Sequence, residues 1–259
     1  MTGIGVFHRP DLEIASAETS SFTAVTGSIH PVTLTSVTAD LVLTFPSSPS
    51  TDDSFGVYVS AAHSSGGTSS FANRPFFCVE PANTTSINGS SYSSTSGDGG
   101  SEYSLWAAGE SLTFVYDGST WLVTHDGRIP HICHAKRTTA QAISNTTVTS
   151  VSYDSTSIDN VSLHSTTTID CKRKGTYTVT GVTHWESNST GIRYCQVAPS
   201  SGDTVYRVRK VSTGESEAPI AGQWVATPAT TLGTTVYQDS GGSLNLNASG
   251  NYVSIAEVL

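Results

Sequence analysis

The chain has 259 residues, enough for one large domain or two ordinary ones, and 13% of them are charged against 36% hydrophobic. The formal net charge is -9, and the longest basic run is Lys172–Lys174. This balance excludes the basic face that nucleic-acid binding requires. No apolar stretch approaches the ~18 residues of a membrane-spanning helix. We therefore expect neither nucleic acid nor a membrane as a partner.

The first residues, Met1 to Pro10, lack the basic flank and apolar run of a secretory signal, which favours synthesis in a cytoplasm. A reducing compartment favours free, buried thiols over disulfides. The cysteines are Cys78, Cys133, Cys171 and Cys195. A single disulfide is the alternative, because the spacing does not pair them.

Residues 1–30 form a lead-in that carries scattered apolar side chains and no heptad repeat, so no coiled-coil stalk is predicted. One interpretation is a flexible terminus, and the other is an arm that docks on a neighbouring subunit. We retain the docking arm as the hypothesis. Its candidate anchors are Phe7, Leu12, Ile14 and Phe22.

Residues 31–127 alternate apolar and polar side chains in short runs, the period of a half-buried strand. Phe55–Val59 is one such run. Asp117-Gly118 lies between the runs Leu112–Tyr116 and Trp121–Val123 and predicts a β-hairpin. The range is expected to fold as a small β-sandwich or barrel-like domain.

Pro130 interrupts this pattern, and residues 128–135 are predicted to be a linker. Short strands separated by turn signals follow over residues 136–259, the pattern of a jelly-roll β-sandwich. The predicted strands are Val148–Tyr153, Ser165–Asp170, Gly175–Val182, Ile192–Val197, Val205–Val211, Gln223–Ala226, Thr234–Gln238 and Asn251–Leu259. With no convincing helix, the expected fold class is all-β.

Four segments of this second half, in this order, carry a family resemblance. They are Ala135–Gln141, Gly175–Gly181, Thr234–Leu244 and Asn251–Ile255. They resemble strands of the tumour-necrosis-factor-like and complement-head-like jelly rolls found at the C-terminal ends of phage virion proteins. The polar segment Pro199–Ala221, interrupted by Gly and Pro, departs from that pattern.

The first half resembles a small β module of phage tail and capsid-surface proteins, through Leu43–Pro46 followed by Asp52-Asp53, and through Glu110–Trp121. Together the two resemblances cover most of residues 32–259.

The jelly-roll resemblance implies a homotrimer in which one sheet of each subunit packs against its neighbours. Candidate residues for that interface, or for the core of one subunit, are Tyr177, Val179, Val236, Tyr237 and Tyr252. The sequence alone does not show which of these residues lie in the trimer interface and which lie in the core of one subunit.

The resemblance implies a non-enzymatic structural protein of the virion, made in the host cytoplasm. The first hypothesis is a trimeric capsid decoration (cement) protein that binds the major capsid protein and stabilises the assembled head. The alternative is a tail-fibre or tail-tip protein that recognises a host surface glycan or protein. The missing shaft favours the capsid surface.

Few residue clusters suggest chemistry. His131-Ile132-Cys133-His134 offers zinc-ligand types, but no second cluster completes a four-ligand site. No Gly-x-Ser-x-Gly elbow is present, and neither enzymatic activity nor a cofactor or metal is expected. Trp106, Trp185 and Trp224 are candidates for sugar stacking, against the ordinary alternative that they fill the core.

Overall fold

The computed structural model describes residues 12–35, 41–62, 77–80, 86–89, 103–161, 163–171, 173–200, 206–211, 214–226 and 230–259. The chain divides into two compact units, with the change between Ile129 and Pro130. The described residues contain strands, turns and bends without a helix. The prediction of an all-β chain with two β modules is confirmed.

The N-terminal unit consists of two sheets. Its strands are β1 (Glu13–Ile14), β2 (Phe22–Thr23), β3 (Ser28–Thr33), β4 (Leu41–Thr44), β5 (Ser54–Ala61), β6 (Phe77–Glu80), β7 (Ser111–Tyr116) and β8 (Trp121–Asp126). One sheet has the order β1-β3-β5-β7-β8, and the other has the order β2-β4-β6.

Strands β1 to β6 alternate between the two sheets along the chain. Strands β1, β3 and β5 are mutually parallel, and so are β2, β4 and β6. The chain therefore winds as a parallel coil before the antiparallel hairpin β7–β8 completes the larger sheet. The alternation of side chains predicted strands here, but it did not predict this parallel winding.

An aromatic cluster fills the space between the two sheets. The Phe45 ring, just after β4, meets the rings of Phe55 at 4.9 Å, Phe114 at 4.8 Å and Trp121 at 5.4 Å between centroids, all edge to face. These side chains are fully buried. Each such pair adds about 1 kcal/mol beyond the burial of its apolar area, so the cluster holds the coil and the hairpin together.

Much of the predicted docking arm belongs to this unit. Ile14 pairs in parallel with Ile29, and Phe22 pairs in parallel with Leu43. Residues 12–30 therefore do not form a separate arm, because their backbone amides and carbonyls complete the two sheets. Of the proposed anchors, Phe22 packs against the core and Ile14 is 73% exposed. Phe7 lies outside the described residues.

The C-terminal unit contains the remaining strands. They are β9 (Ile132–Lys136), β10 (Gln141–Ile143), β11 (Thr149–Ser150), β12 (Ser155–Asp159), β13 (Thr168–Asp170), β14 (Gly175–Asn188), β15 (Ile192–Pro199), β16 (Tyr206–Val211), β17 (Gly214–Ala226), β18 (Thr231–Gln238), β19 (Leu244–Leu246) and β20 (Tyr252–Val258).

Two antiparallel sheets form a jelly roll. The β14 sheet contains β12-β9-β20-β14-β17, with β10 and β19 at one end, and the β18 sheet contains β18-β15-β16 with β11 and β13 beside β18. In chain order the eight principal strands are β9, β13, β14, β15, β16, β17, β18 and β20. The first (β9), eighth (β20), third (β14) and sixth (β17) are neighbours in the β14 sheet. The second (β13), seventh (β18), fourth (β15) and fifth (β16) are neighbours in the β18 sheet. This order defines a jelly roll of two Greek keys.

The core of the jelly roll lies between these sheets. Tyr177, Val179 and Trp185 enter it from β14, Val236 enters from β18 and Ile255 enters from β20, all with essentially no exposed surface. Because side chains alternate along a strand, the intervening residues of β14 and β20 lie on the opposite face. The period-two pattern that predicted the strands thus also fixes their inner face.

Two boundaries differ from the prediction. Strand β9 begins at Ile132, inside the predicted linker 128–135, and pairs with β20 along its length. The segment Pro199–Ala221 contains β16 and most of β17, and β17 extends from Gly214 instead of Gln223. The first part of β17 was not predicted because its sequence is polar and contains Gly and Pro. Strand β17 forms because it pairs with β14 along the whole length of β14, which compensates for its weak strand propensity.

The β7–β8 turn depends on a glycine. Gly118 has a φ of 100°, and a Cβ there would lie 3.0 Å from Thr51 Oγ1. We expect Gly118→Ala to lower the free energy of unfolding of the N-terminal unit by about 1 kcal/mol, because the left-handed backbone strains any L side chain. Urea unfolding followed by tryptophan fluorescence measures it.

Gly242→Ala is the matched control. A Cβ added at Gly242 would have no neighbouring atom within 4 Å, and the residue does not have a left-handed φ. Its substitution should change stability by less than about 0.5 kcal/mol. Equal effects of the two substitutions would contradict the turn geometry.

Candidate functional site

The outer face of the β14 sheet is the candidate site. Its central part consists of alternate residues of β14 and their register partners on β20, β9 and β17. These residues are Thr176, Thr178, Thr180, Val182, Tyr252, Ser254, Ala256, Val258, Ile132, His134, Lys136, Pro219, Ala221, Gln223 and Val225.

This face carries little charge. Within this set of paired positions, Lys136 and His134 are the basic side chains and no Asp or Glu is present, and the next register pair along the same face is His184 with Glu217. The outer face of a solvated sheet is usually polar along its whole length. Val225 is 71% exposed and Val258 is 52% exposed, and Ile158 on β12, paired with His134, is 52% exposed. Depletion of charge with exposed apolar side chains is typical of the centre of a protein–protein interface.

The structure separates the five predicted core or interface residues. Tyr177, Val179 and Val236 are buried between the sheets of one subunit. Tyr252 lies on the outer face of the β14 sheet, where its ring stacks on that of His134 at 5.0 Å. Tyr237 lies on the outer face of the other sheet, stacked on Tyr194 at 5.0 Å.

A cleft borders Tyr252 at the edge of the candidate face. It has a volume of about 360 Å³ and lies between Lys136–Thr138 and the loop Ala248–Asn251. The Arg137 guanidinium beneath it donates to Gln141 Oε1 at 2.8 Å and to the Thr139 carbonyl at 2.6 Å. Arg137 is therefore held as part of the fold, and the cleft presents Lys136 to solvent.

Strand alternation divides the His131–His134 cluster. His131 and Cys133 are buried, whereas the His134 ring stacks on Tyr252 outside the sheet. Neighbouring residues of a strand point to opposite faces, so the two histidines do not converge on one ion. Among the described residues, no group of three or more His, Cys, Asp or Glu side chains could hold a metal.

The described thiols are buried and free. They are Cys133, Cys171 and Cys195. Burial raises the pKa of Cys133 and of Cys195 to about 12, and raises that of Cys171 well above its usual range. A thiol that stays protonated at neutral pH is a poor nucleophile, so these cysteines serve as small core residues.

A buried ion pair connects β20, the last strand, to the segment that precedes β14. Arg173 Nη1 donates to Glu257 Oε2 at 2.8 Å, and the His131 amide donates to the same oxygen at 3.0 Å. The Tyr177 hydroxyl donates to the Arg173 carbonyl at 3.1 Å. The ion pair between Arg173 and Glu257 was not predicted from the sequence. The available signal was a glutamate at an inward position of an otherwise apolar strand, which needs a buried partner.

The predicted sugar-stacking tryptophans are not available to a ligand. Trp185 is fully buried, Trp224 is 6% exposed and Trp106 is 9% exposed. The alternative, that they fill the core, is the one the structure shows. Tyr194 and Tyr237 form a partly exposed aromatic pair in the C-terminal unit, which no local sequence signal had paired.

Comparisons with known proteins give structural similarity alone. No protein-family model and no curated protein matches the chain. Murine APRIL at pH 8.0 matches 50% of this chain and 100% of its own, with 11% identity and a TM-score of 0.42. Eiger TNF from S. frugiperda matches 51% and 94%, with 12% identity and a TM-score of 0.39. The globular domain of zebrafish complement 1qA protein matches 50% and 96%, with 14% identity and a TM-score of 0.35.

These values are too low to transfer any function, so the jelly-roll assignment stands on the strand order described above. In the described part of the chain, no helix is long and apolar enough to span a membrane. The class of protein that the fold defines is an all-β chain with a C-terminal jelly roll.

Removing the charge of Glu257 tests the buried ion pair. We expect Glu257→Gln to destabilise the C-terminal unit by about 3 kcal/mol, because it leaves the Arg173 guanidinium buried without its carboxylate. Thermal and urea unfolding measure the loss. Glu13→Gln, at an exposed position of β1, is the control and should change stability by less than about 0.5 kcal/mol. A similar small loss for both would contradict the assignment.

Asp154 makes the stability of the C-terminal unit depend on pH. Hydrogen bonds from Thr139 and Thr138, the Thr139 hydroxyl first among them, lower the pKa of Asp154 to about 2, against about 3.9 in an unfolded chain. Its contribution is present above about pH 4 and is lost as the pH falls through about 2. Asp154→Asn should cost about 1 kcal/mol at pH 7, and the difference from wild type should shrink between pH 4 and pH 2. Unfolding curves against pH measure this, and a pH-independent difference would contradict it.

Proposed function

We propose that this chain is a non-enzymatic structural protein that associates as a homotrimer through the outer face of its β14 sheet. The observation that carries the proposal is the low charge and partly apolar character of the central part of that face, which spans four paired strands. Burying this central part removes apolar surface from water and desolvates few charges, which favours association. The trimer is the state that the resemblance to tumour-necrosis-factor-like jelly rolls implies.

The biological role that we propose is decoration of a phage capsid. The resemblance of both halves to virion surface proteins supports it, with the major capsid protein as partner and the capsid surface as location, after synthesis in the host cytoplasm. Ile14, 73% exposed, and Val25, 59% exposed, give the N-terminal unit apolar side chains for such a contact.

The mechanism of decoration would be thermodynamic. A protein that binds the assembled shell better than its separated subunits stabilises the shell by mass action. Three identical footholds in one trimer would strengthen weak individual contacts, because after the first contact the others form within one complex.

A second candidate is a tail-fibre or tail-tip protein that recognises a host surface glycan. The observation that favours it is the stacked pair Tyr194 and Tyr237, half-exposed on the β18 sheet. Tyrosine combines an apolar ring with a polar hydroxyl, which suits contact with sugars.

The trimer is tested by placing charge on the β14 sheet. By multi-angle light scattering at micromolar concentration, the wild type should have three times the 27.1 kDa of one chain. Ala221→Arg, at an exposed position opposite Thr180, should give the mass of a monomer, because it buries an unpaired charge at every contact. Ala17→Arg, exposed in the N-terminal unit, is the control and should remain trimeric. A monomeric wild type or a trimeric Ala221→Arg variant would contradict the proposal.

The two virion roles are separated by mixing the purified protein with capsids that lack their decoration, and separately with host cells. Saturable binding to capsids in multiples of three supports decoration. Adsorption to cells that competes with infection supports the tail role. If neither binding occurs, the virion role is wrong.

A further inference from the structure

The cleft beside Tyr252 brings three hydrogen-bonding side chains together at one end of the β14 sheet. Lys136 of β9 and Tyr252 of β20 are register partners, and His134, two residues before Lys136, stacks on the Tyr252 ring with centroids 5.0 Å apart. All three side chains line the cleft and are partly exposed. Its volume of about 360 Å³ is within the range of small-molecule sites, about 300–1,000 Å³.

One wall of the cleft is held by a buried guanidinium. Arg137, 5% exposed, donates to Gln141 Oε1 at 2.8 Å and to the Thr139 carbonyl at 2.6 Å. The Thr138 amide donates to Asp154 Oδ1 at 2.6 Å. These bonds fix the backbone after β9, so this wall is formed by the fold itself and needs no ligand to order it.

The opposite wall is the loop Ala248–Asn251. The Asn251 side chain, which is buried, accepts from the His184 amide at 2.7 Å and donates to the Asn247 carbonyl at 2.8 Å. Gly250 has a φ of 80°, and a Cβ there would lie 2.8 Å from His184 Nδ1, so glycine suits the close approach of this loop to β14. The cleft is therefore bounded by two preformed walls.

The bonding of the three lining side chains differs from that of the walls. In the described part of the chain, the Lys136 ammonium, the His134 ring nitrogens and the Tyr252 hydroxyl have no hydrogen-bond or ion-pair partner. Each of these side chains can donate a hydrogen bond, and no Asp or Glu is among the residues that line the cleft. Asp154, bonded to Thr138, has both carboxylate oxygens occupied by hydrogen bonds. The cleft therefore offers donors and one fixed positive charge in a chain of net charge -9.

From this arrangement we infer that the Tyr252 cleft binds a small organic oxyanion, a carboxylate or a phosphate monoester. The oxyanion accepts hydrogen bonds from the Lys136 ammonium and the Tyr252 hydroxyl, and the apolar body of the ligand lies against the stacked rings of His134 and Tyr252. This inference goes beyond the proposed assembly role, because one chain provides all of these groups.

Nucleic acid and bare inorganic ions suit the cleft less well. One lysine neutralises about one phosphate, which gives little affinity for a polyanion when the whole chain is acidic. An inorganic ion has no apolar body to contact the aromatic rings that form part of the cleft.

The test is ligand-detected saturation-transfer NMR on the full chain, at an ionic strength of about 50 mM where charges are weakly screened. The probes are benzoate, phenyl phosphate and benzyl alcohol. Benzoate or phenyl phosphate should bind saturably, and the tighter of the two identifies carboxylate or phosphate as the recognised group. Benzyl alcohol, which has the ring without the charge, should bind at least about tenfold more weakly. Acetate and inorganic phosphate should displace the bound probe only at about tenfold higher concentrations.

Variants connect that binding to the cleft. Lys136→Gln should weaken binding by about tenfold through loss of the charged donor, whereas Lys136→Arg keeps the charge and should bind within about threefold of the wild type. Tyr252→Phe keeps the ring and should weaken binding by about fivefold through loss of the hydroxyl. Lys174→Gln, which removes an exposed lysine just before β14, is the matched control and should bind as the wild type does.

Binding is measured on the wild type and on the Ala221→Arg variant, whose mass by light scattering is measured on the same samples. Binding by Ala221→Arg alone supports the site and shows that association covers the cleft. If the wild type is a trimer and neither protein binds benzoate or phenyl phosphate, the inference alone is overturned. A monomeric wild type that binds overturns only the proposed assembly.

Three other results overturn the inference. They are binding of benzyl alcohol as tight as that of the anions, displacement of the probe by acetate or inorganic phosphate at equal concentration, and binding by Lys136→Gln as tight as that by Lys174→Gln.

Discussion

The long strand β14 is the constraint on which the C-terminal unit depends. Its 14 residues pair with β17 on one side and with β20 and β19 on the other. Since side chains alternate along a strand, one choice of register sends Tyr177, Val179 and Trp185 into the core and sends Thr178 and Thr180 outward. A slip by one residue would bury those threonines and expose the aromatic core, so the pairing register and the character of the outer face are fixed together.

The central part of the outer face of the β14 sheet has few charged side chains. Threonine and valine favour strands, but together with alanine they leave the central part of this face with Lys136 and His134 as its basic side chains and with no acidic one. The other sheet differs, because its outer face presents the stacked pair Tyr194 and Tyr237.

The sequence predicted these features unevenly. Period-two alternation and the Asp117-Gly118 turn predicted an all-β chain with two modules and the β7–β8 hairpin, because both signals are local. The parallel winding of β1 to β6 and the length of β17 were missed, since non-local pairing determines them and the polar sequence of β17 gives no local signal. The sequence predicted only part of the candidate face. It identified Tyr252 as a candidate interface residue, but the register of three strands was needed to show that Ala221 and Val225 lie on the same face. Buried Trp185 and Trp224 likewise show that residue type alone does not separate a ligand platform from a core.

Hydroxyl-radical footprinting with mass spectrometry tests the central claim, that copies of this chain associate through the β14 sheet, most directly. In the wild type at micromolar concentration, Tyr252, Val225 and Val258 should be labelled less than in the Ala221→Arg variant, while Tyr194 and Tyr237 should be labelled equally in both. Equal labelling of Tyr252 and Val225 in the two proteins, or protection of Tyr237 in their place, would contradict association through this sheet.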